Sequence, residues 1–197
     1  MKVKLSLAAA LLVVCTGALA QHDHDKKAPA MDPAMMEAMM KAGTPGDAHK
    51  ALGGFAGSWT AKVTMWMMPG TDPVVSDATA ETKWALDGHV LEQRFSGNMM
   101  GMPFTGLGYT GYDNVKKQYW STWMDSMSTG MMLATGSANG NTWSYSGTAA
   151  DPMTGKDATM NIKVVVKDAD HHTMEMWGPA PDGKNYRMME IAYSRKN

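Results

Sequence analysis

The stretch 104-FTGLGYTGYDNVKKQYWSTWMDS-126 carries the pattern that decides the fold. Apolar or aromatic residues alternate with small or polar ones along both halves, which predicts one strand over 104–112 and another over 117–126. Between them, Asp113-Asn114 supplies the turn chemistry of a hairpin. The two strands are therefore expected to be antiparallel neighbours in a sheet.

The same organisation repeats along the chain after Gly57. Turn signals such as Asp87-Gly88 and Asn139-Gly140 separate short alternating segments, and most connections are short enough for hairpins. Ten such strands would leave long exposed edges in an open sheet, whereas closure into a barrel removes them. We therefore predict an all-β fold, a ten-stranded antiparallel up-and-down calycin-like barrel with a short N-terminal helix. The predicted strands are 58–68, 75–86, 89–97, 104–112, 117–126, 130–138, 142–149, 157–167, 172–178 and 185–195.

Methionine is unusually abundant, with 22 residues beside 7 tryptophans and 6 tyrosines. Thioether and aromatic side chains must therefore supply much of the apolar volume of the interior. The volume inside a barrel grows with strand number, so ten strands leave a cavity unless large side chains fill it. Two interpretations stay open at this point: a hollow barrel that holds a ligand, and a barrel filled by indoles and thioethers.

Residues 1–20 have the pattern of a secretory signal peptide, with Lys2 and Lys4 before an apolar run and a small-residue cleavage site ending at Ala20. We expect a periplasmic or secreted protein after cleavage near Ala20. The single cysteine lies inside this leader, so the mature chain forms no disulfide. No later stretch approaches about 18 uninterrupted apolar residues, so no membrane span is expected. The net charge of −1, with neither sign clustered, argues against nucleic acid as a partner.

Residues 21–52 are expected to form a flexible tether and an amphipathic helix, and 53–197 the barrel. Asp32 suits the N-cap of the helix, Pro33 suits its first turn, and Gly43 with Pro45 ends it. We expect this helix to close one end of the barrel, with a second helical turn over 47–52. Its apolar stripe consists of Met35, Met36, Met39 and Met40.

The triplet Gly57-Ser58-Trp59 opens the first predicted strand after a helix. It resembles the GxW motif of the calycin superfamily, which includes lipocalins and fatty-acid-binding proteins. In lipocalins this tryptophan packs at the closed end of the barrel beneath an arginine from the last strand. The resemblance implies a structural role for Gly57 and Trp59, with Arg187 or Arg195 as the arginine.

A narrower resemblance covers roughly residues 35–196. Several motifs in the same order are similar to secreted bacterial proteins of the "domain of unknown function 1579" family. This resemblance implies a lipocalin-like barrel without an established activity, so it carries over no catalytic residues. Besides the GxW triplet, the motifs are AGTPG (42–46), NMMGMPF (98–104), GYTGYD (108–113), DSMSTG (125–130), DPMTG (151–155) and MME (188–190).

The main hypothesis is a binding protein that holds a small apolar or amphipathic molecule in the barrel. The segment 98–104 has methionines around Gly101 and before Pro103, so we interpret it as a Met-lined rim and not as a regular central strand. The residues predicted to line the site are Met65, Trp84, Met99, Met102 and Trp123.

Three residues of the last predicted strand, Arg187, Tyr193 and Arg195, share one face at even spacing. An arginine and a tyrosine inside a dry barrel would orient a polar head group, so Arg195 and Tyr193 complete the predicted site. The alternative places one arginine on Trp59 and leaves the other in solvent.

A second hypothesis is copper binding near the N-terminus, because thioethers are soft ligands for Cu(I). Its candidate ligands are His22 and His24 with Met36 and Met40, although an apolar helix stripe explains these methionines equally well. Oxidant scavenging by exposed methionines is a third hypothesis. Haem bound through a histidine is weaker, because a single histidine at a strand start is usually a surface residue.

An enzyme is not expected. The sequence has no cysteine after the leader, no GxSxG elbow, no HExxH motif and no glycine-rich phosphate loop. The main hypothesis therefore requires no cofactor.

Overall fold

The computed structural model describes residues 31–196, so the predicted leader over 1–20 and the predicted tether over 21–30 lie outside the described residues. Two helices, α1 (Pro33–Gly43) and α2 (Asp47–Ala51), and a 3₁₀ turn at Leu52–Phe55 precede the sheet. The strands are β1 (Gly57–Met65), β2 (Val74–Ala85), β3 (Val90–Met99), β4 (Met102–Asp113), β5 (Gln118–Asp125), β6 (Met132–Asn139), β7 (Thr142–Ala150), β8 (Asp157–Val166), β9 (His171–Pro179) and β10 (Asn185–Arg195).

Each strand pairs with its neighbours in the chain, and β1 pairs with β10, which closes the barrel. All pairings are antiparallel. The prediction of an all-β, ten-stranded up-and-down barrel is confirmed. Closure pairs each described strand on both of its edges, which removes the long exposed edges that an open sheet would have.

The strands alternate between an inward and an outward face. On β1, Trp59, Ala61 and Val63 are buried, whereas Thr60 and Lys62 between them are exposed. This is the period of two that a half-buried strand requires. The alternation along β1 therefore places Trp59, Ala61 and Val63 on the inward face.

The two ends of the barrel differ. We call the end where β1 begins and β10 ends the base, and the opposite end the mouth. At the base, α2 and the 3₁₀ turn cover the interior: Leu52 is fully buried in a cluster with Leu91 and Trp143, and the Tyr119 hydroxyl donates to the Ala48 carbonyl at 3.1 Å. The mouth is formed by the connections 66–73, 100–101, 126–131, 151–156 and 180–184.

Helix α1 begins as predicted, because the Asp32 carboxylate caps it by accepting from the Ala34 N–H at 2.9 Å. It does not close the barrel, which corrects the expectation above: none of its residues is buried. Its last turn is held by the Asn114 side-chain amide, which donates to the carbonyls of Ala42 and Thr44, and by the His89 ring, whose Nε2 lies 2.7 Å from the Gly43 carbonyl oxygen. None of the helices within 31–196 has the length and apolarity needed to cross a membrane.

The segment 98–104 is more regular than predicted. Strands β3 and β4 run up to Met99 and Met102 and are joined by Met100 and Gly101, which both have positive φ, 52° and 81°. Positive φ at two central residues is the geometry of a tight type I′ hairpin turn. Pro103 is tolerated because it is the second residue of β4, at the mouth.

Candidate functional site

The base is sealed by an arginine that lies over a tryptophan. The guanidinium of Arg195 lies 4.1 Å from the ring centroid of Trp59. Arg195 also donates to the carbonyls of Gly54 at 3.0 Å and Ala56 at 2.8 Å. The same group thus ties the 3₁₀ turn to β1 and β10, and it lies outside the lining of the interior cavity. Its geometry fits the structural role that the GxW resemblance implied.

Above this seal the barrel is hollow. The cavity has a volume of about 770 Å³ and is open at the mouth. This volume lies within the range of roughly 300–1,000 Å³ that is usual for small-molecule sites. The interior is therefore not filled by its aromatic side chains.

Methionine dominates the cavity wall. Thioether side chains are flexible and polarisable, so the wall is apolar and adaptable. Eleven methionines line the cavity: Met65, Met67, Met99, Met127, Met131, Met132, Met160, Met174, Met176, Met188 and Met189.

The floor of the cavity is formed by a buried aromatic stack. The His172 ring stacks on Tyr193 with centroids 4.3 Å apart, and it meets the edges of Trp59 and Phe55. Burial, followed by the nearby charge of Arg195, lowers the pKa of His172 to about 4. Burial raises the pKa of Tyr193 well above its usual range. Both groups are therefore uncharged at neutral pH.

Trp123 lies flat on two glycines of the neighbouring strand. A β-carbon at Gly106 would lie 2.2 Å from the Trp123 ring, and one at Gly108 would lie 3.1 Å from it. The indole N–H donates to the Asp125 carboxylate at 3.0 Å, and this carboxylate also accepts from the Met127 N–H at 2.9 Å. The absence of side chains on β4 thus creates the slot that holds Trp123 against the wall.

The charged side chains that line the cavity in the described part of the chain are acidic. Asp125 and Asp157 belong to the lining, at the mouth, and no lysine or arginine is among the lining residues of the described chain. An anionic head group would therefore meet no cation inside the barrel.

The structure brings four of the seven predicted ligand-binding residues to the cavity wall: Met65, Met99, Trp123 and Tyr193. It places the other three elsewhere. Trp84 packs beside Gly53 at the base and is 38% exposed, Met102 is 48% exposed at the start of β4, and Arg195 seals the base.

The interpretation that Arg187, Tyr193 and Arg195 share one face is wrong. A β-bulge interrupts the pairing of β9 with β10 between Arg187 and Met189. One extra residue reverses the alternation, so Arg187 and Tyr193 face opposite sides of the sheet. Arg187 pairs with Glu175 and Glu190 at 3.2 and 2.6 Å and lies 4.5 Å from the Trp66 ring centroid, so it is not the arginine over Trp59.

The candidate copper ligands are only partly described. His22 and His24 lie outside the described residues, and Met36 and Met40 are exposed on α1, at 49% and 66%. Within residues 31–196, no group of three or more histidine, cysteine or acidic side chains is arranged to hold a metal ion. Copper binding by these residues therefore stays a hypothesis.

His172 was not among the cavity residues predicted from the sequence. His171 is exposed and contacts Asp168 at 2.8 Å, whereas His172 points inward. The alternation of His172 with Met174 and Met176 was the available signal, since residues two apart on a strand share a face. Phe55 was missed because nothing in its local sequence predicts that the 3₁₀ turn folds under the barrel.

The fold and the site define a class: a small ten-stranded antiparallel barrel with one sealed end and a largely apolar interior that has acidic side chains at its mouth. More narrowly, the chain belongs to the family described as "Protein of unknown function (DUF1579)", whose model matches residues 44–195. The family prediction is thereby confirmed. No curated protein matches the chain significantly.

The chain is similar to several solved structures. The crystal structure of Rv2717c from M. tuberculosis superposes with a TM-score of 0.57 at 15% identity and covers 78% of this chain and 100% of that chain. A redesigned beta barrel gives 0.40 at 14% identity, covering 76% and 96%. A protein of unknown function from the DUF3598 family of Nostoc punctiforme PCC 73102 gives 0.22 at 5%, covering 77% and 100%. At such identities, the first match supports the fold alone.

Proposed function

We propose that this protein binds a small, uncharged apolar or amphipathic molecule inside the barrel. The observation that carries the proposal is the open cavity of about 770 Å³ with its methionine and aromatic wall. Transfer of an apolar molecule from water to such a wall is favourable by about 25 cal/mol per Å² of buried apolar surface. Flexible thioethers would adapt to ligands of different shapes.

The charges inside the barrel favour a neutral ligand. A carboxylate at the floor would be buried beside uncharged His172 and Tyr193, and the arginine once expected there is engaged at the base. A hydroxyl or carbonyl group would instead bond with the Tyr193 hydroxyl or the His172 ring. We therefore propose alcohols, ketones or hydrocarbons as the ligand class.

A binding role is also favoured over catalysis. The titratable groups of the floor have pKa values far from neutrality, whereas a general acid or base works best with a pKa near the working pH. The leader-like pattern of residues 1–20 supports a periplasmic or secreted location for this binding protein.

The test uses a fatty alcohol and a fatty acid of equal chain length, titrated into the protein while tryptophan fluorescence is followed. We expect the alcohol to bind at least tenfold more tightly than the acid at pH 7. Native mass spectrometry of protein purified without denaturation would detect a molecule that copurifies. Equal affinity for both compounds, or no binding of either, would refute the proposal.

Two variants on β2 localise the binding. Ser76 lines the cavity, whereas its neighbour Val75 is 51% exposed on the outside of the barrel. Ser76→Phe should fill part of the cavity and weaken alcohol binding at least tenfold, whereas Val75→Phe should leave it unchanged. A Ser76→Phe protein that folds and binds as tightly as the parent would place the ligand outside the barrel.

A further inference from the structure

Two methionines pack against a glycine in the upper wall of the cavity, and two more are its neighbours in the sheet. Gly178 on β9 is buried and has no side chain to occupy the space in front of it. The register of the sheet places Met160 of β8 beside it, because Asn161 pairs with Trp177. Met176 is the next inward residue along β9, and it pairs with Met189 of β10. Met188, the residue left unpaired by the bulge, completes the group.

Two of these thioether sulfurs converge on one point. A β-carbon built onto Gly178 would lie 2.5 Å from Met188 Sδ and 2.8 Å from Met160 Sδ. The two sulfurs are therefore no farther apart than the sum of those two distances. Metal–sulfur bonds in proteins are about 2.3 Å long, so an ion lying between the sulfurs on the cavity side of Gly178 would need only small movements of two flexible side chains. The bulge is essential to this arrangement, because it turns Met188 into the cavity.

We propose that this cluster binds Cu(I), with Met160 and Met188 as ligands and Met176, the next inward residue of β9, as the candidate third ligand. Neutral thioethers are soft donors that select Cu(I) over hard divalent cations. All four methionines are half-buried, so an ion can reach them from the mouth, where Asp125 and Asp157 favour the entry of a cation. The site is distinct from the copper ligands considered near the N-terminus, and it does not depend on binding of an apolar ligand.

The N-terminal candidates must be removed before this site is measured. A full-length background protein would carry His22→Ala, His24→Ala, Met36→Leu and Met40→Leu. Cu(I) affinity would be measured without oxygen by competition with the chelator bicinchoninate, and Ag(I) would serve as a redox-inert probe in calorimetry. We expect one equivalent of either ion to bind to the background protein.

Leucine has nearly the volume of methionine without the sulfur, so Met160→Leu with Met188→Leu should preserve packing and weaken Cu(I) binding at least tenfold. The matched control is Met65→Leu with Met99→Leu, which removes two thioethers from β1 and β3 in the same cavity and should leave the affinity unchanged. Circular dichroism would verify the fold of both proteins.

Gly178→Ala is a second and independent probe. It keeps every thioether but places a methyl group at the point where the sulfurs converge, and flexible methionine ends can move aside at little cost. We expect it to fold normally and to lose the Cu(I) site. The proposal is overturned if the background protein binds neither ion, if the Met160/Met188 or Gly178 variant binds unchanged, or if the control pair weakens binding equally.

Discussion

The buried histidine at the cavity floor predicts how stability changes with pH. His172 is 6% exposed and packed among Phe55, Trp59 and Tyr193, so its folded form favours the neutral ring. Its pKa is lowered from 6.5 to about 4. Between these values the unfolded chain binds a proton that the folded chain does not bind. The contribution of His172 to the free energy of unfolding is therefore fully present above pH 6.5, and it is lost as the pH falls towards 4.

The size of the loss follows from the shift in pKa. Each pKa unit corresponds to about 1.4 kcal/mol, so the free energy of unfolding should fall by about 2 kcal/mol between pH 7 and 5. The loss should approach about 3 kcal/mol below pH 4. Burial also lowers the pKa of His49, which adds to the loss in the same direction. The contribution of His172 must therefore be isolated by comparison with a variant.

The variant His172→Gln keeps a polar side chain that does not titrate. Urea unfolding at pH 7, 6 and 5, followed by tryptophan fluorescence, would give the free energy of unfolding of both proteins. The difference in the free energy of unfolding between the parent protein and the variant should decrease by about 2 kcal/mol from pH 7 to 5. His49 is present in both proteins, so its contribution does not affect this difference. His172→Phe should show the same change. A difference that stays constant over this range would refute the reasoning.

Two other substitutions, each paired with a control, test the packing of Trp123 and the role of Arg195 in sealing the base. Gly106→Ala should displace Trp123 and destabilise the barrel by about 1–3 kcal/mol in urea unfolding, as expected for overpacking. Gly130→Ala, whose added carbon meets only a side-chain oxygen at 3.5 Å, should change stability by less than about 0.5 kcal/mol. Arg195→Leu should cost about 2–4 kcal/mol, because it removes charged hydrogen bonds to the Gly54 and Ala56 carbonyls and the contact with the indole. The control Arg94→Leu loses only an exposed ion pair and should cost less than about 1 kcal/mol. Equal losses of stability in the two arginine variants would contradict the role of Arg195 in sealing the base.

The strands and their order were predictable from local sequence. Alternation has a period of two, and turns such as Asn139-Gly140 carry their own chemical signature, so each hairpin could be recognised without knowledge of its partners. Trp59 on the inward face of β1 and the cap of α1 by Asp32 were equally local. Membership of the family followed from motifs that occur in a fixed order.

The candidate site was harder to predict, because it depends on distant contacts. Nothing near Arg195 in the sequence shows that its guanidinium bonds with Gly54 and Ala56, about 140 residues earlier in the chain. The bulge beside Met188 is also invisible locally, although it reverses the faces of Arg187 and Tyr193. A single unpaired residue therefore changed the predicted site, since every side chain beyond it turns to the other face.

The amino-acid sequence by itself determined the ten strands, their antiparallel order and the apolar character of the interior. Those properties depend on neighbours one or two residues apart along the chain. Only the tertiary structure decided that the interior is hollow, that no lysine or arginine of residues 31–196 lines it and that the sulfurs of Met160 and Met188 meet above Gly178. Empty space and convergent atoms are properties of the closed barrel, because they arise where strands distant in sequence face one another across it.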